Sequence, residues 1–221
     1  MRFSAIAIDG PAGSGKSLMA KMLSEKKGYT YLDTGAMYRT VALKAIRSGI
    51  DTLDGDKLSK LIKNIDIELV ITDNKQHMYL DKECVDDLIR TNQISKGASD
   101  VSKFPSVRLF LVDMQRNVAK KHNVVMEGRD IGTYVLPDAE FKFYLTASNE
   151  KRAERRYQQM VQDGKETTYE QVLEDIIYRD NQDSKRDFAP LKKAEDAILI
   201  DTTNMGINEV FDTLLRYING K

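Results

Sequence analysis

Gly10-Pro11-Ala12-Gly13-Ser14-Gly15-Lys16-Ser17 satisfies the pattern G-x-x-x-x-G-K-S/T in full. Before it stands a short apolar run, residues 3–9, shaped like a buried parallel strand; after it, Leu18, Met19, Met22 and Leu23 recur at helical spacing over 16–27. Strand, glycine loop and helix is the order that gives the motif its chemistry. The glycines let successive backbone N–H groups face phosphate oxygens, and the helix aims its positive end at the same anion. In that arrangement Lys16 reaches β- and γ-phosphates and Ser17 holds Mg²⁺. Gly10, Pro11, Ala12, Gly13, Ser14, Gly15, Lys16 and Ser17 are therefore the expected nucleoside triphosphate cradle. A kinase, an ATPase and a GTPase all need such a cradle. No Asn-Lys-x-Asp guanine signature occurs in the chain, which argues against a GTPase switch.

Outward from the loop, a second short strand over 29–32 ends at Asp33-Thr34, and a helical stretch from 36 to about 47 follows until Gly49 breaks it. Between about 66 and 90 the pattern changes to short alternating strands, 67–71 and 78–80, with turns at Asp73-Asn74 and Asp81, as in a small antiparallel insert. Helical stripes return over 92–99 and from 105 to about 121. Short apolar strands then recur at 123–126, 141–146 and 198–200, each followed by polar residues and a helical pattern. Strands alternating with helices define an α/β chain with a parallel central sheet. Ligands of such sheets bind beyond the carboxyl ends of the strands, so Asp9, Asp33, Glu127 and Asp201 are expected at one active-site face. The whole chain, 1–221, reads as a single domain without repeat or linker.

Composition bounds the possible partners. Lysine plus arginine and aspartate plus glutamate both number 34, so no global field draws the protein to nucleic acid or to an anionic membrane, and any anion site is local. With 41% apolar and 31% charged residues the chain is a globule, not a membrane protein or a disordered one. The N-terminal apolar stretch is shorter than a secretory core or a membrane span, which points to a cytoplasmic enzyme. Cys84, the single cysteine, excludes an internal disulfide framework and reads as a small buried hydrophobe. For His77 and His122 no metal or catalytic role is expected.

Three further segments carry a resemblance. Asp33-Thr34-Gly35-Ala36-Met37-Tyr38-Arg39, the run Gly128-Arg129-Asp130-Ile131-Gly132-Thr133-Tyr134-Val135-Leu136-Pro137-Asp138-Ala139, and Arg152-Ala153-Glu154-Arg155-Arg156 resemble the D-S/T-G-A-x-Y-R, GRD-x-GT-x-V-x-PDA and R-A-x-R-R signatures of the bacterial cytidylate kinases. Shorter matches, including Ile89-Arg90-Thr91, Ala98-Ser99 and Arg179-Asp180 leading to Asp183 and Arg186, extend the resemblance from end to end. Two positions depart from it: Glu127 stands where Asp is more usual, and Tyr134 where Val is.

The resemblance implies a P-loop NTPase three-layer sandwich with a parallel central sheet, a small antiparallel sheet inserted in the monophosphate-binding lobe, and a helical lid. That lobe would span 34–122, with its insert at about 66–90, and the lid 149–168. The implied reaction moves the γ-phosphoryl group of ATP to CMP or dCMP with Mg²⁺; a monomer is the default expectation, since the sequence carries no sign of oligomeric state. An anionic acceptor needs arginines, and Arg39, Arg90 and Arg129 are the candidates to grip its phosphate in bidentate forks. Cytosine offers an N4 donor beside N3 and O2 acceptors, a pattern that Ser99, Arg108 and Asp130 can complement. The resemblance also sets Thr34, Tyr38, Arg179, Asp183 and Arg186 around the nucleoside. Which of these meets base and which meets sugar stays open, as does plain ion pairing of Arg179, Asp183 and Arg186 along one helical face. Arg152 and Arg156, four apart, place at least one guanidinium on the transferring phosphoryl group, and Arg155 is assigned to ATP. Catalytic roles thus fall to Lys16, Arg129, Arg152 and Arg156. Asp33 has two readings, holding a Mg²⁺ water or capping the helix that follows. No general base is needed, because the acceptor phosphate is already an ionised nucleophile. The rivals are a P-loop kinase for another small acceptor, such as shikimate, and a nucleotide-dependent regulatory switch.

Overall fold

The computed structural model describes residues 3–220; Met1, Arg2 and Lys221, part of the expected 1–221 domain, lie outside the described residues. β1 (Ala5–Asp9) leads through the glycine loop into α1 (Lys16–Lys27), which Gly28 ends in a left-handed cap. β2 (Thr30–Asp33) then passes directly into α2 (Thr34–Arg47), because the Asp33 carboxylate accepts the Ala36 N–H at 3.0 Å and so starts the helix two residues ahead of its apolar stripe.

Next comes α3 (Gly55–Lys63), a helix that periodicity did not single out. Asp54 caps it by accepting the Lys57 N–H at 3.0 Å, and Leu58 is its one fully buried side chain. Gly55 is required by its neighbour: a Cβ there would sit 2.5 Å from Phe104 Cε1. The expected insert follows as β3 (Ile67–Thr72), β4 (Lys75–Leu80) and β5 (Glu83–Cys84), an antiparallel sheet in that order. Its turns, Asp73-Asn74 and Asp81-Lys82, both hold two successive residues at positive φ, the backbone of tight two-residue hairpins. Cys84 is exposed on the short edge strand, not buried as expected, because a two-residue strand at a sheet edge has nothing packed over it.

α4 (Asn92–Val101) and α5 (Pro105–Ala119) lead back to β6 (Val124–Gly128) and, through a π-helical turn at Ile131–Val135, to β7 (Phe141–Thr146). α6 (Asn149–Gln162) and α7 (Tyr169–Lys185) pair through Ala153, Met160, Val172 and Ile176. β8 (Ile198–Asp201) and α8 (Ile207–Asn219) finish the chain.

The five long-range strands form one parallel sheet in the order β2-β6-β1-β7-β8, so the strand that carries the glycine loop lies in the middle. Alternation along β1 sends Ile6 and Ile8 to one face, against α1 and α8 through Met19, Leu23 and Leu214, and Ala7 to the other, with Val112 of α5. Helix, sheet and helix make the three layers. A separate apolar core joins α2, α3, α4, α5 and β4 around Met37, Val41, Leu58, Met78 and Leu111. Among the described residues no helix is long and apolar enough to cross a membrane.

Candidate functional site

The glycine loop is built as its sequence requires. Gly10 has φ +147°, and a Cβ there would overlap the Leu145 carbonyl oxygen of the adjacent strand, so only glycine lets the chain leave β1 at this angle. Lys16, buried at the first position of α1, folds back so that Nζ donates to the Pro11 carbonyl at 2.7 Å. Burial, reinforced by the nearby Arg129 charge, lowers its pKa to about 7. A triphosphate bound beside Nζ would restore the charge, so binding near pH ~8 should draw protons from solution. The sign follows from a free-state pKa below the bound-state one: uptake fades as pH falls below about 7. Calorimetry in buffers of different ionisation enthalpy measures this uptake, and Lys16→Met should remove it.

At the end of β6, Glu127 is buried and accepts from Ser17 Oγ at 2.8 Å and from Tyr31 OH at 2.5 Å. Burial, and then the Asp33 carboxylate, raise the Glu127 pKa. The glutamate found in place of aspartate is thus held by a tyrosine on the neighbouring strand. Ser17 and Glu127 offer hard oxygen donors beside the loop, the set that suits a small hard cation. Asp9 does not face the site as expected. Its two oxygens accept the Ile131 and Gly132 N–H groups at 2.8 and 2.7 Å, fastening the π-helical turn to β1, and burial raises its pKa to about 6. Asp201 likewise turns to its own loop, accepting from the Thr203 N–H at 2.9 Å.

Asp33 caps α2, and its second oxygen accepts from Arg39 at 2.7 Å with Arg90 3.6 Å away. Burial alone would raise its pKa, but Arg39 and Arg90 hold it below the usual carboxylate value. Gln76 of the insert grips the same residue, accepting the Asp33 N–H at 2.8 Å and donating to its carbonyl at 3.2 Å.

A second network lies across the cavity. Arg108, 1% exposed, donates to Asp130 Oδ2 at 2.6 Å under the rings of Tyr38 and Phe188. Arg186 reaches Asp130 Oδ1 at 3.3 Å, and Arg129 donates through Nε to Asp183 at 2.7 Å. Arg186 is the extended residue that ends α7, so the run of Arg179, Asp183 and Arg186 along one helical face does not form; Asp183 instead bridges Arg129 and Arg186. Tyr134, the other departure, packs edge-on against Phe188 at 4.9 Å and lies under Arg116.

Loop and network face each other across a cavity of about 940 Å³. Every residue expected at the acceptor lines it: Thr34, Tyr38 and Arg39 from α2; Arg90 and Ser99 near α4; Arg108 from α5; Arg129 and Asp130 after β6; Arg179, Asp183 and Arg186 from α7 and its end. Arg155 and Arg156 line it as well, and Arg155 also donates to the Thr202 carbonyl at 2.6 Å. Arg152 does not line it. It is buried beneath the loop, donating to the Ala12 carbonyl at 2.8 Å and pairing with Asp180 at 2.6 Å, which leaves Arg156 as the member of that pair on the cavity. Burial lowers the pKa of both Arg156 and Arg179, and each is further depressed by a neighbouring guanidinium, Arg39 for the first and Arg156 and Arg129 for the second. Arg39 Nε and Arg108 Nε are buried donors without a hydrogen-bond partner. Crowded cations and unmet donors are what an anionic ligand would satisfy. Sequence reasoning missed Tyr31 and Gln76, whose partners are 96 and 43 residues away, and the apolar end of the cavity at Met205, Ile207 and Val210.

A phosphate-binding loop at the end of a central parallel strand, opposite an arginine-lined pocket, defines the class of P-loop phosphotransferases. A sequence profile of the family described as cytidylate kinase matches residues 6–220. Relatives agree: the chain is 48% identical to a cytidylate kinase of Bacillus subtilis (strain 168) over 98% of this chain and 96% of that protein. To one of Clostridioides difficile (strain 630) it is 47% identical, with 97% of each chain covered. The chain belongs to the cytidylate kinase family. The solved structure of an uncharacterized protein from Eubacterium ventriosum ATCC 27560 matches 99% of both chains with a TM-score of 0.56 at 14% identity, a likeness of fold alone.

Proposed function

We propose that the chain transfers the γ-phosphoryl group of ATP to CMP or dCMP, giving ADP and CDP or dCDP. The observation that carries this reading is the cavity itself, with the glycine loop on one wall and a crowd of arginines around a buried Arg108–Asp130–Arg186 triad on the other. The loop amides and Lys16 hold the triphosphate, and the apolar end at Met205 and Val210 takes the adenine. Arg39, Arg90 and Arg129 grip the acceptor phosphate. Arg108 and Asp130, with Ser99, read cytosine, while Arg179 and Asp183 meet the sugar. Asp33 anchors Arg39 and Arg90. Residues 34–122 serve as the acceptor lobe, and 149–168 as a lid that brings Arg155 and Arg156 over the phosphates; Lys165 beyond α6 already reaches the Arg90 carbonyl at 3.3 Å. Arg152 then acts as a positioning residue that braces the loop at Ala12.

Ser17, backed by Glu127, would hold Mg²⁺, which when bound neutralises phosphate charge. For the rest, the protein positions an ionised nucleophile and offsets charge on the transferring group. The chain is taken to act as a monomer on free nucleotides in the cytoplasm. Incubation with ATP, Mg²⁺ and CMP should yield CDP and ADP in equal amounts by chromatography; ADP accumulating without CDP would contradict the reading. Ser99→Ala should chiefly narrow the ratio of kcat/KM for CMP over UMP, by about tenfold for one lost polar contact. An unchanged ratio would remove Ser99 from base reading.

A further inference from the structure

We propose that His77, Cys84 and Asp86, on the hairpin of the small sheet, form a binding site for a divalent cation of the zinc class. β4 and β5 pair with Tyr79 opposite Cys84, and Val85 N donates to the Met78 carbonyl at 2.9 Å, which carries the pairing to the level where His77 faces Asp86. His77 Nδ1 and Asp86 Oδ2 are 2.8 Å apart, and one ligand atom from each of the three side chains lies within 4.8 Å of the others. Tetrahedral zinc with bonds of about 2.0–2.3 Å needs ligand separations of roughly 3.3–3.8 Å, so small side-chain rotations that open the His77–Asp86 contact and bring Cys84 to it would form the set.

The chemistry of the donors is selective. Imidazole, thiolate and carboxylate together suit zinc, or cobalt in its place, whereas the oxygens of Ser17 and Glu127 suit magnesium. Asp86 is aimed from behind, since its other oxygen accepts the Met78 N–H at 2.8 Å, the kind of outer contact that orients a metal ligand. Its place on the hairpin is fixed by the tight turn at Asp81-Lys82. His77 and Asp86 are part-exposed and Cys84 is exposed, which leaves room for the ion to enter and for water to complete the coordination. None of the three lines the large cavity, although Asp86 borders a smaller one of about 150 Å³ that Asp33 and Arg90 also line.

The test is titration of the chelator-treated full chain with Co²⁺. A thiolate-to-cobalt charge-transfer band should grow to saturation at equimolar metal and be displaced by Zn²⁺, and Zn²⁺ should raise the melting temperature. Cys84→Ser, isosteric and on the surface, should abolish the band and the thermal shift while circular dichroism stays unchanged. His77→Ala should weaken Zn²⁺ binding about tenfold or more. Absence of the band in the unmodified chain, saturation at half an ion per chain through a thiolate shared by two copies, or Zn²⁺ binding unaltered by Cys84→Ser would each overturn the proposal.

Discussion

Lys16→Ala should lower kcat for phosphoryl transfer by about 10³-fold, the scale of losing one well-placed donor to developing phosphate charge. The same substitution should leave folding stability unchanged or slightly raised. Lys16 is buried with its pKa depressed to about 7, so in the free protein its place in the loop opposes its charge, and only a bound phosphate repays that cost. Steady-state kinetics and thermal melting on one preparation separate the two effects. A collapse of both would make Lys16 a structural residue of the loop.

Asp130→Ala should act in the opposite sense, on stability as well as on the substrate. Its carboxylate is the shared partner of Arg108 and Arg186, whose side chains are 1% and 4% exposed, and removing it leaves the Arg108 guanidinium without a carboxylate in the interior and Arg186 with Asp183 alone. Breaking a buried pair in this way costs about 3–5 kcal/mol, or a fall of roughly 10 °C in Tm for a chain of this size. The kcat/KM for CMP should fall with it. Adding Arg108→Met to Asp130→Ala should recover part of the stability, because one stranded charge is gone, but none of the preference for cytosine. Recovery of selectivity in the double variant would show that Asp130 only props the fold.

Features governed by local spacing were legible in the sequence. The apolar runs at β1 and β7 and the stripe of α1 announce themselves, since strand and helix periods need only near neighbours. α3 escaped notice because Asp51, Asp54 and Gly55 look like turn residues, and its real determinants are the Asp54 cap and the Phe104 ring lying on Gly55. The site shows the same division. The residues expected at the acceptor meet around one cavity, but the partners that set their geometry are remote in sequence: Tyr31 on Glu127, Gln76 on Asp33, Asp180 on Arg152. Helical spacing paired Arg152 with Arg156, yet only tertiary packing decides that Arg152 lies under the loop and Arg156 on the cavity. Cys84 was misjudged for a related reason, because residue type favours burial while its place on a two-residue edge strand exposes it. The departures Glu127 and Tyr134 became intelligible only with Tyr31 and Phe188 beside them.

Coupled measurement of ADP release with CMP, dCMP, UMP, AMP and shikimate as alternative acceptors tests the assignment most directly. The cavity predicts release that requires an acceptor, with kcat/KM highest for CMP or dCMP, lower for UMP and negligible for AMP and shikimate. ADP formed at the same rate with no acceptor present, or fastest with shikimate or AMP, would contradict it.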